Sequence, residues 1–185
     1  MSIQIRTISG TLDIESLEEL VNYRFEIEEI ARALSKTCRF NGQLPGDFFY
    51  SVAEHSVLLS FLVPPEFAKH ALLHDAGEAY IGDIIRPIKH AVGMRLDAIE
   101  HRVLEMILSK RGMSTTLPDE VVSIDRWVAA VELETIWDAH RVARGNPPLR
   151  SMAPGLHLNC HDPAEAYALF LARYDELFEK PEPPQ

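Results

Sequence analysis

The chain has 185 residues and a mass of 20.9 kDa, the length of one domain, and a domain of this size buries roughly 70% of its unfolded surface, enough to enclose a dry pocket. Its 46% apolar and 25% charged residues are ordinary for a globular protein. The formal charge of −10 and a pI near 5.2 argue against a surface that neutralises the phosphates of polymeric DNA or RNA. Cys38 and Cys160 are isolated, with no CxxC pair, and no apolar leader opens the chain, so both read as reduced thiols of a cytoplasmic protein. The longest apolar stretches, such as Ser56–Pro65, are about ten residues, too short to span a bilayer.

Residues 1–24 have a mixed pattern that suits either a short strand pair or an irregular cap. Helical periodicity begins at Phe25 and runs to Leu34, and a loop follows over Arg39-Phe40-Asn41-Gly42 and Pro45-Gly46. Ser51, with Glu54 three residues on, forms a capping box that opens a second helix, closed by Pro64-Pro65. A third helix spans about Glu66 to Tyr80 and stops at Gly82, and Asp83–Lys89 is a turn-rich connector. Further helices run from about Val92 to Lys110 and from Pro118 to about Val142, with Pro118 in a first turn. A long loop through Gly145-Asn146-Pro147-Pro148 and Pro154-Gly155 leads to a last helix, about Pro163 to Phe178, and a frayed tail over 179–185. There is no internal repeat and no alternating run long enough for a sheet. The expectation is all-α: one domain over residues 1–185, its core at about 26–178, built as a bundle of about six to seven helices.

The informative residues interrupt apolar helix stripes, because a buried imidazole or carboxylate is costly unless paired, hydrogen-bonded or bound to a metal. His55 lies on the line Val52, His55, Leu59, Leu62. His74 and Asp75 sit inside a run that is otherwise mostly apolar from Ala68 to Ala79, and Asp125 is three or four positions from Val121, Val122, Val128 and Ala129. Taken singly, each has an ordinary explanation: a hydrogen-bonded core histidine, a chance His-Asp pair, or an ion pair of Asp125 with Arg126 or Arg102. Their joint occurrence points to one shared counter-ion. Mixed nitrogen and oxygen ligation suits Zn, Mn, Co or Fe rather than calcium, and four protein ligands on a six-coordinate ion leave positions for water and substrate. Glu78, four residues after His74 and three after Asp75, shares their helical face and is placed to handle a proton of metal-bound water. The remaining histidines, such as His70 and His101, read as surface or loop residues.

The segments Tyr50–Ser56, Ala71–Asp83 and Arg86-Pro87-Ile88-Lys89, together with Asp125, resemble the HD-domain phosphohydrolases. Within that superfamily they are similar to the compact bacterial 5′-deoxynucleotidases and phage dATP triphosphohydrolases. The resemblance covers about residues 26–140, and HDxxE followed by Gly-Asp and then Pro and Lys is far more restrictive than HD alone. It implies a single HD-type helical domain in which His55, His74, Asp75 and Asp125 hold one divalent transition metal, with Mg accompanying a nucleotide substrate as a further option. It also implies that Glu78 activates or orients the attacking water and that Asp83 belongs to the same acidic, hydrogen-bonding shell. Arg39 and Lys89 become substrate phosphate ligands, and Phe40 completes the substrate-binding set as the aromatic that follows the arginine, where the monophosphate enzymes carry Trp.

The function implied is hydrolysis of small deoxynucleotides, releasing phosphate or triphosphate. An alarmone or cyclic-nucleotide hydrolase is the second reading; the alarmone enzymes carry adjacent Glu-Asp after the HD pair, whereas here Ala79 follows Glu78. A third is a non-catalytic nucleotide-binding sensor, against which the presence of Glu78 with all four ligands speaks. The expected partners are a small nucleotide and further copies of the chain, as a dimer or larger assembly.

Overall fold

The computed structural model of the protein describes residues 2–85, 88, 89, 91, 94–146, 153 and 156–178. Arg86-Pro87 of the motif, residues 147–152 and 154–155 of the long loop, and the 179–185 tail lie outside the described residues. The chain opens with a two-stranded antiparallel hairpin, β1 (Gln4–Arg6) and β2 (Thr11–Asp13), in which Ile5 opposes Leu12. Among the described residues the regular elements after it are helical, apart from a single antiparallel bridge between Cys38 and Ser51, so the fold is an all-α bundle carrying an N-terminal hairpin, in accord with the sequence.

A short helix that periodicity could not announce, α1 (Leu17–Asn22), follows the hairpin; its six residues are fewer than two turns. Its start was nonetheless encoded, since the Ser16 side chain accepts a hydrogen bond from the Glu19 amide. Helix α2 (Ile27–Leu34) begins two residues later than expected. Phe25 has φ +52°, outside the helical region, and its buried ring makes edge contacts with Tyr23 at 4.9 Å and Tyr80 at 5.3 Å.

Helix α3 (Val52–Leu62) is the centre of the bundle. A single core-facing stripe understates its burial: Val52, Ala53, His55, Ser56 and Leu59 are all fully enclosed. Ser51 caps it by accepting from the Glu54 amide, as expected, but the Glu54 carboxylate does not complete the box. It turns instead to the segment ahead of the last helix and accepts the backbone N–H groups of Asn159, Cys160 and His161 at 2.8–3.1 Å. Three otherwise orphaned donors are thereby satisfied, and α3 is tied to the entry of α8 (Pro163–Phe178).

The expected third helix is in fact two, α4 (Ala68–Leu73) and α5 (Glu78–Ile81), joined by a tightened turn over 74–77. There the amides of Ala76, Glu78, Ala79 and Tyr80 donate to carbonyls three residues back, not four. Tightening re-aims consecutive side chains, and the stretch that does so carries His74 and Asp75. Gly77 sits in this turn because the neighbouring helix α6 (Met94–Ser109) approaches it closely: a Cβ at Gly77 would lie 3.1 Å from the Glu100 carbonyl oxygen. Gly82 ends α5 with φ +91°, a conformation that a side chain disfavours. Helix α7 (Asp119–Ala143) starts one residue after Pro118, which caps it from outside the first turn.

Two apolar clusters hold these elements. The larger joins the hairpin, α1, α2, α3, α4, α6 and α8 through residues such as Leu12, Ile30, Leu72, Ile107 and Phe170. The smaller joins Leu59 and Val63 to Ala68, Ala71, Val121 and Val128, and so clamps α7 onto α3 and α4. Helix α4 contributes to both clusters, which is why its end is held firmly enough to present polar groups at the seam between them.

Candidate metal centre

Four segments, two of them helices, converge on this seam. The first half of α3 supplies His55, the turn after α4 supplies His74 and Asp75, α7 supplies Asp125, and the loop before α3 supplies Arg39. The two Nε2 atoms of His55 and His74 are 3.3 Å apart. Asp125 Oδ1 stands 3.2 Å from the first and 3.7 Å from the second. Asp75 Oδ2 stands 3.1 Å from His74 Nε2 and 3.9 Å from His55 Nε2. Ligand atoms of His55, His74 and Asp125 all lie within 4.8 Å of one another, a set in which Asp75 is not included although it borders both imidazoles. The four residues that the sequence singles out as ligands are thus brought together.

The opposite edge of each imidazole is already committed. His74 Nδ1 lies 2.8 Å from the Ala71 carbonyl oxygen, which can only accept, so the proton is on Nδ1. His55 Nδ1 lies 2.6 Å from a carboxylate oxygen of Glu132. Each ring is therefore set to turn its Nε2 inward, towards the other ring and the two aspartates. Burial alone draws the His74 pKa down, yet Asp75 and Asp125 raise it well above the ordinary imidazole value. Desolvation works against the ionised aspartates too, but His74, His55 and Arg39 hold Asp75 well below the usual carboxylate range, and His55 and His74 do the same for Asp125.

Sequence reasoning passed over Glu132, a fully buried carboxylate. Besides His55, it accepts from the Tyr50 hydroxyl at 2.7 Å and from Arg39 Nε at 3.1 Å, with Arg39 Nη2 also 3.1 Å away. The signal was present: Val128, Glu132 and Ile136 form a stripe at spacing four on α7, and a charge on such a stripe is the same anomaly that exposes Asp125.

The remaining expected residues form a second ring. Arg39 is buried, its Nε and Nη2 edge is spent on Glu132, and its Nη1 stands 3.6 Å from Asp75. Phe40 and Asn41 both have φ near +57°, rare for such residues, and the Phe40 ring lies 5.2 Å from the Arg39 guanidinium. The Asp83 carboxylate accepts the Phe40 amide at 3.1 Å and so fastens the loop that carries Arg39. Lys89 Nζ reaches both oxygens of Glu100, at 2.7 and 2.8 Å, and lies 3.5 Å from Glu78 Oε1. Glu78 is buried, its Oε2 has no hydrogen-bond partner among the described residues, and burial with nearby Asp75 and Asp83 pushes its pKa up to about 10. It therefore carries a proton at neutral pH when only protein groups surround it.

By architecture this is an all-helical protein with a buried His/Asp cluster suited to a cation. No protein-family model matches the chain. It is 35% identical over 165 residues to the uncharacterized protein YfdR of Escherichia coli (strain K12), covering 83% of this chain and 84% of that protein. It is 33% identical over 168 residues to the uncharacterized protein RCAP_rcc00048 of Rhodobacter capsulatus, covering 82% and 85%. The chain belongs to the family of these two proteins. No helix among the described residues is long and apolar enough to cross a membrane.

Proposed function

We propose that the protein is a metal-dependent phosphohydrolase of the HD type, acting in the cytoplasm on small deoxynucleotides. The observation that carries this reading is the pair of facing Nε2 atoms, 3.3 Å apart with both Nδ1 edges committed. Asp75 and Asp125 already favour a positive charge at this point, held by His74 when only protein groups are present, and a cation there takes that charge over with both Nε2 atoms as ligands. Ligand atoms about 2.0–2.2 Å from one ion stand about 3–3.5 Å from each other, and the His–His, His55–Asp125 and His74–Asp75 separations of 3.1–3.3 Å fall in that interval. The donor set of two imidazoles and two carboxylates fits Mn, Co, Zn or Fe.

When bound, such a cation lowers the pKa of a coordinated water and polarises a phosphoryl oxygen. The chain's own residues supply the rest. Arg39 Nη1, beside Asp75, is the guanidinium group left for an anion once its other edge is held, so it offers a single charged donor in place of a bidentate fork. Lys89 adds positive charge next to Glu78 and reaches a phosphate only by exchanging Glu100. Glu78, with a carboxyl oxygen that none of the described residues engages, is equipped to pass a proton to or from the reacting centre. The net charge of −10 favours a small ester over a polymer, and the likeness to the compact HD nucleotidases favours a deoxynucleotide and a homo-oligomeric enzyme.

The test is a panel of deoxy- and ribonucleoside mono-, di- and triphosphates incubated with metal-free protein plus Mn, Co, Zn, Fe or Mg, with products resolved by chromatography. Release of phosphate or triphosphate that needs a transition metal supports the reading. No turnover of any substrate with any metal, or full activity in chelator, refutes it.

A further inference from the structure

We propose that Glu132 is a positioning residue shared by the two halves of the site, setting the inward face of His55 for the cation and holding Arg39 for the substrate anion. This rests on the reading of His55 as a metal ligand. One carboxylate binds both: His55 Nδ1 at 2.6 Å on Oε1, and Arg39 Nε and Nη2 at 3.1 Å on Oε2. It is completely buried.

A buried ion pair is weak grounds for stability, since apolar residues of like volume often stabilise as much. The geometry accounts for the charge better. A carboxylate on Nδ1 keeps the proton there and leaves Nε2 as the ligating atom, the arrangement by which outer residues orient metal-binding histidines. Glu132 also stands two helical turns after Asp125 on α7, so a single helix delivers an inner ligand and the support for another. On its other oxygen, it directs Arg39 so that Nη1 is the group presented near Asp75. The Tyr50 hydroxyl donates to the same Oε1 at 2.7 Å, whereas the bond between Tyr50 and Arg39, from the Arg39 amide to the Tyr50 carbonyl oxygen at 2.8 Å, is main-chain and survives Tyr50→Phe, so this variant provides a control.

The experiment is calorimetric titration of metal-free wild type, Glu132→Gln and Tyr50→Phe with Mn2+, and of the Mn2+-loaded proteins with inorganic phosphate. Glu132→Gln is expected to weaken Mn2+ binding by about 10–100-fold and to weaken phosphate binding as well. Tyr50→Phe, which removes a hydrogen bond from the same carboxylate, is expected to hold Mn2+ within about twofold of wild type while its melting temperature falls by about 2–4 °C. Equal Mn2+ affinity in wild type and Glu132→Gln overturns the proposal, as does an equal loss in Tyr50→Phe. A second measurement needs neither variant nor metal: nitrogen NMR of the wild-type imidazoles should find the His55 proton on Nδ1, and a proton on Nε2 alone overturns the assignment. Wild type that binds no metal would instead defeat the proposed function, and the NMR result would stand apart from it.

Discussion

Metal addition should raise the melting temperature of the metal-free protein, by an amount that the cluster allows to be worked out. Four side chains from three separate elements, α3, the turn after α4 and α7, meet only in the folded state, so the unfolded chain offers no equivalent site and binding energy becomes folding energy. At free metal about 100 times its Kd the folded state gains about 2.7 kcal/mol. For a chain of this length about 2–4 °C accompanies each kcal/mol, so the shift should be about 5–11 °C. Asp125→Asn removes the charge 3.2 Å from His55 Nε2 and should shrink the metal-dependent shift to below about 2 °C at the same metal concentration. Comparing each protein with and without metal cancels any change in the variant's own baseline. The assay is differential scanning calorimetry with Mn2+, Co2+ or Zn2+, and with Ca2+ as a cation that prefers oxygen ligands alone. Equal shifts in wild type and Asp125→Asn, or a shift with Ca2+ only, would refute the reasoning.

Glu78→Ala should leave metal content and fold nearly intact while lowering turnover about 10²–10⁴-fold, with kcat affected more than KM, because Glu78 serves the proton and not the cation; steady-state kinetics beside elemental analysis checks it. Glu54→Ala strips a charged acceptor from the amides of Asn159, Cys160 and His161 and should cost about 2–4 kcal/mol in urea unfolding. Glu29, bound by Ser9 at its hydroxyl and amide and by the Tyr23 hydroxyl, has its folded pKa lowered below its unfolded value despite partial desolvation. Its contribution is therefore present above the unfolded value and disappears as pH falls through the folded one. Urea unfolding of wild type and Glu29→Gln from pH 7 to 3 should show a stability gap at neutral pH that closes in acid, and a gap that widens there would contradict the sign.

Helix positions were largely legible from local chemistry. Pro163 and Phe178 bound the last helix as the apolar period implies, Ser51 caps α3, and Pro64-Pro65 follow its end. His55, His74, Asp75 and Asp125 could be picked out because a polar group on an apolar stripe needs a partner wherever the chain places it. Other features depend on contacts between distant segments. The Gly77 turn splits the expected third helix where α6 presses against it, and propensity over 66–80 carries no trace of that contact. Glu54 looks like half of a capping box until residues 159–161 come close enough to claim it. Arg39 reads as a free phosphate ligand until Glu132, 93 positions away, takes one edge of its guanidinium. The sequence by itself determined the helical period and which residues could not stay unpaired. Which partners they found was decided only when α7 folded across α3, since a hydrogen bond or ligand bond depends on distance in space and local sequence records none of it.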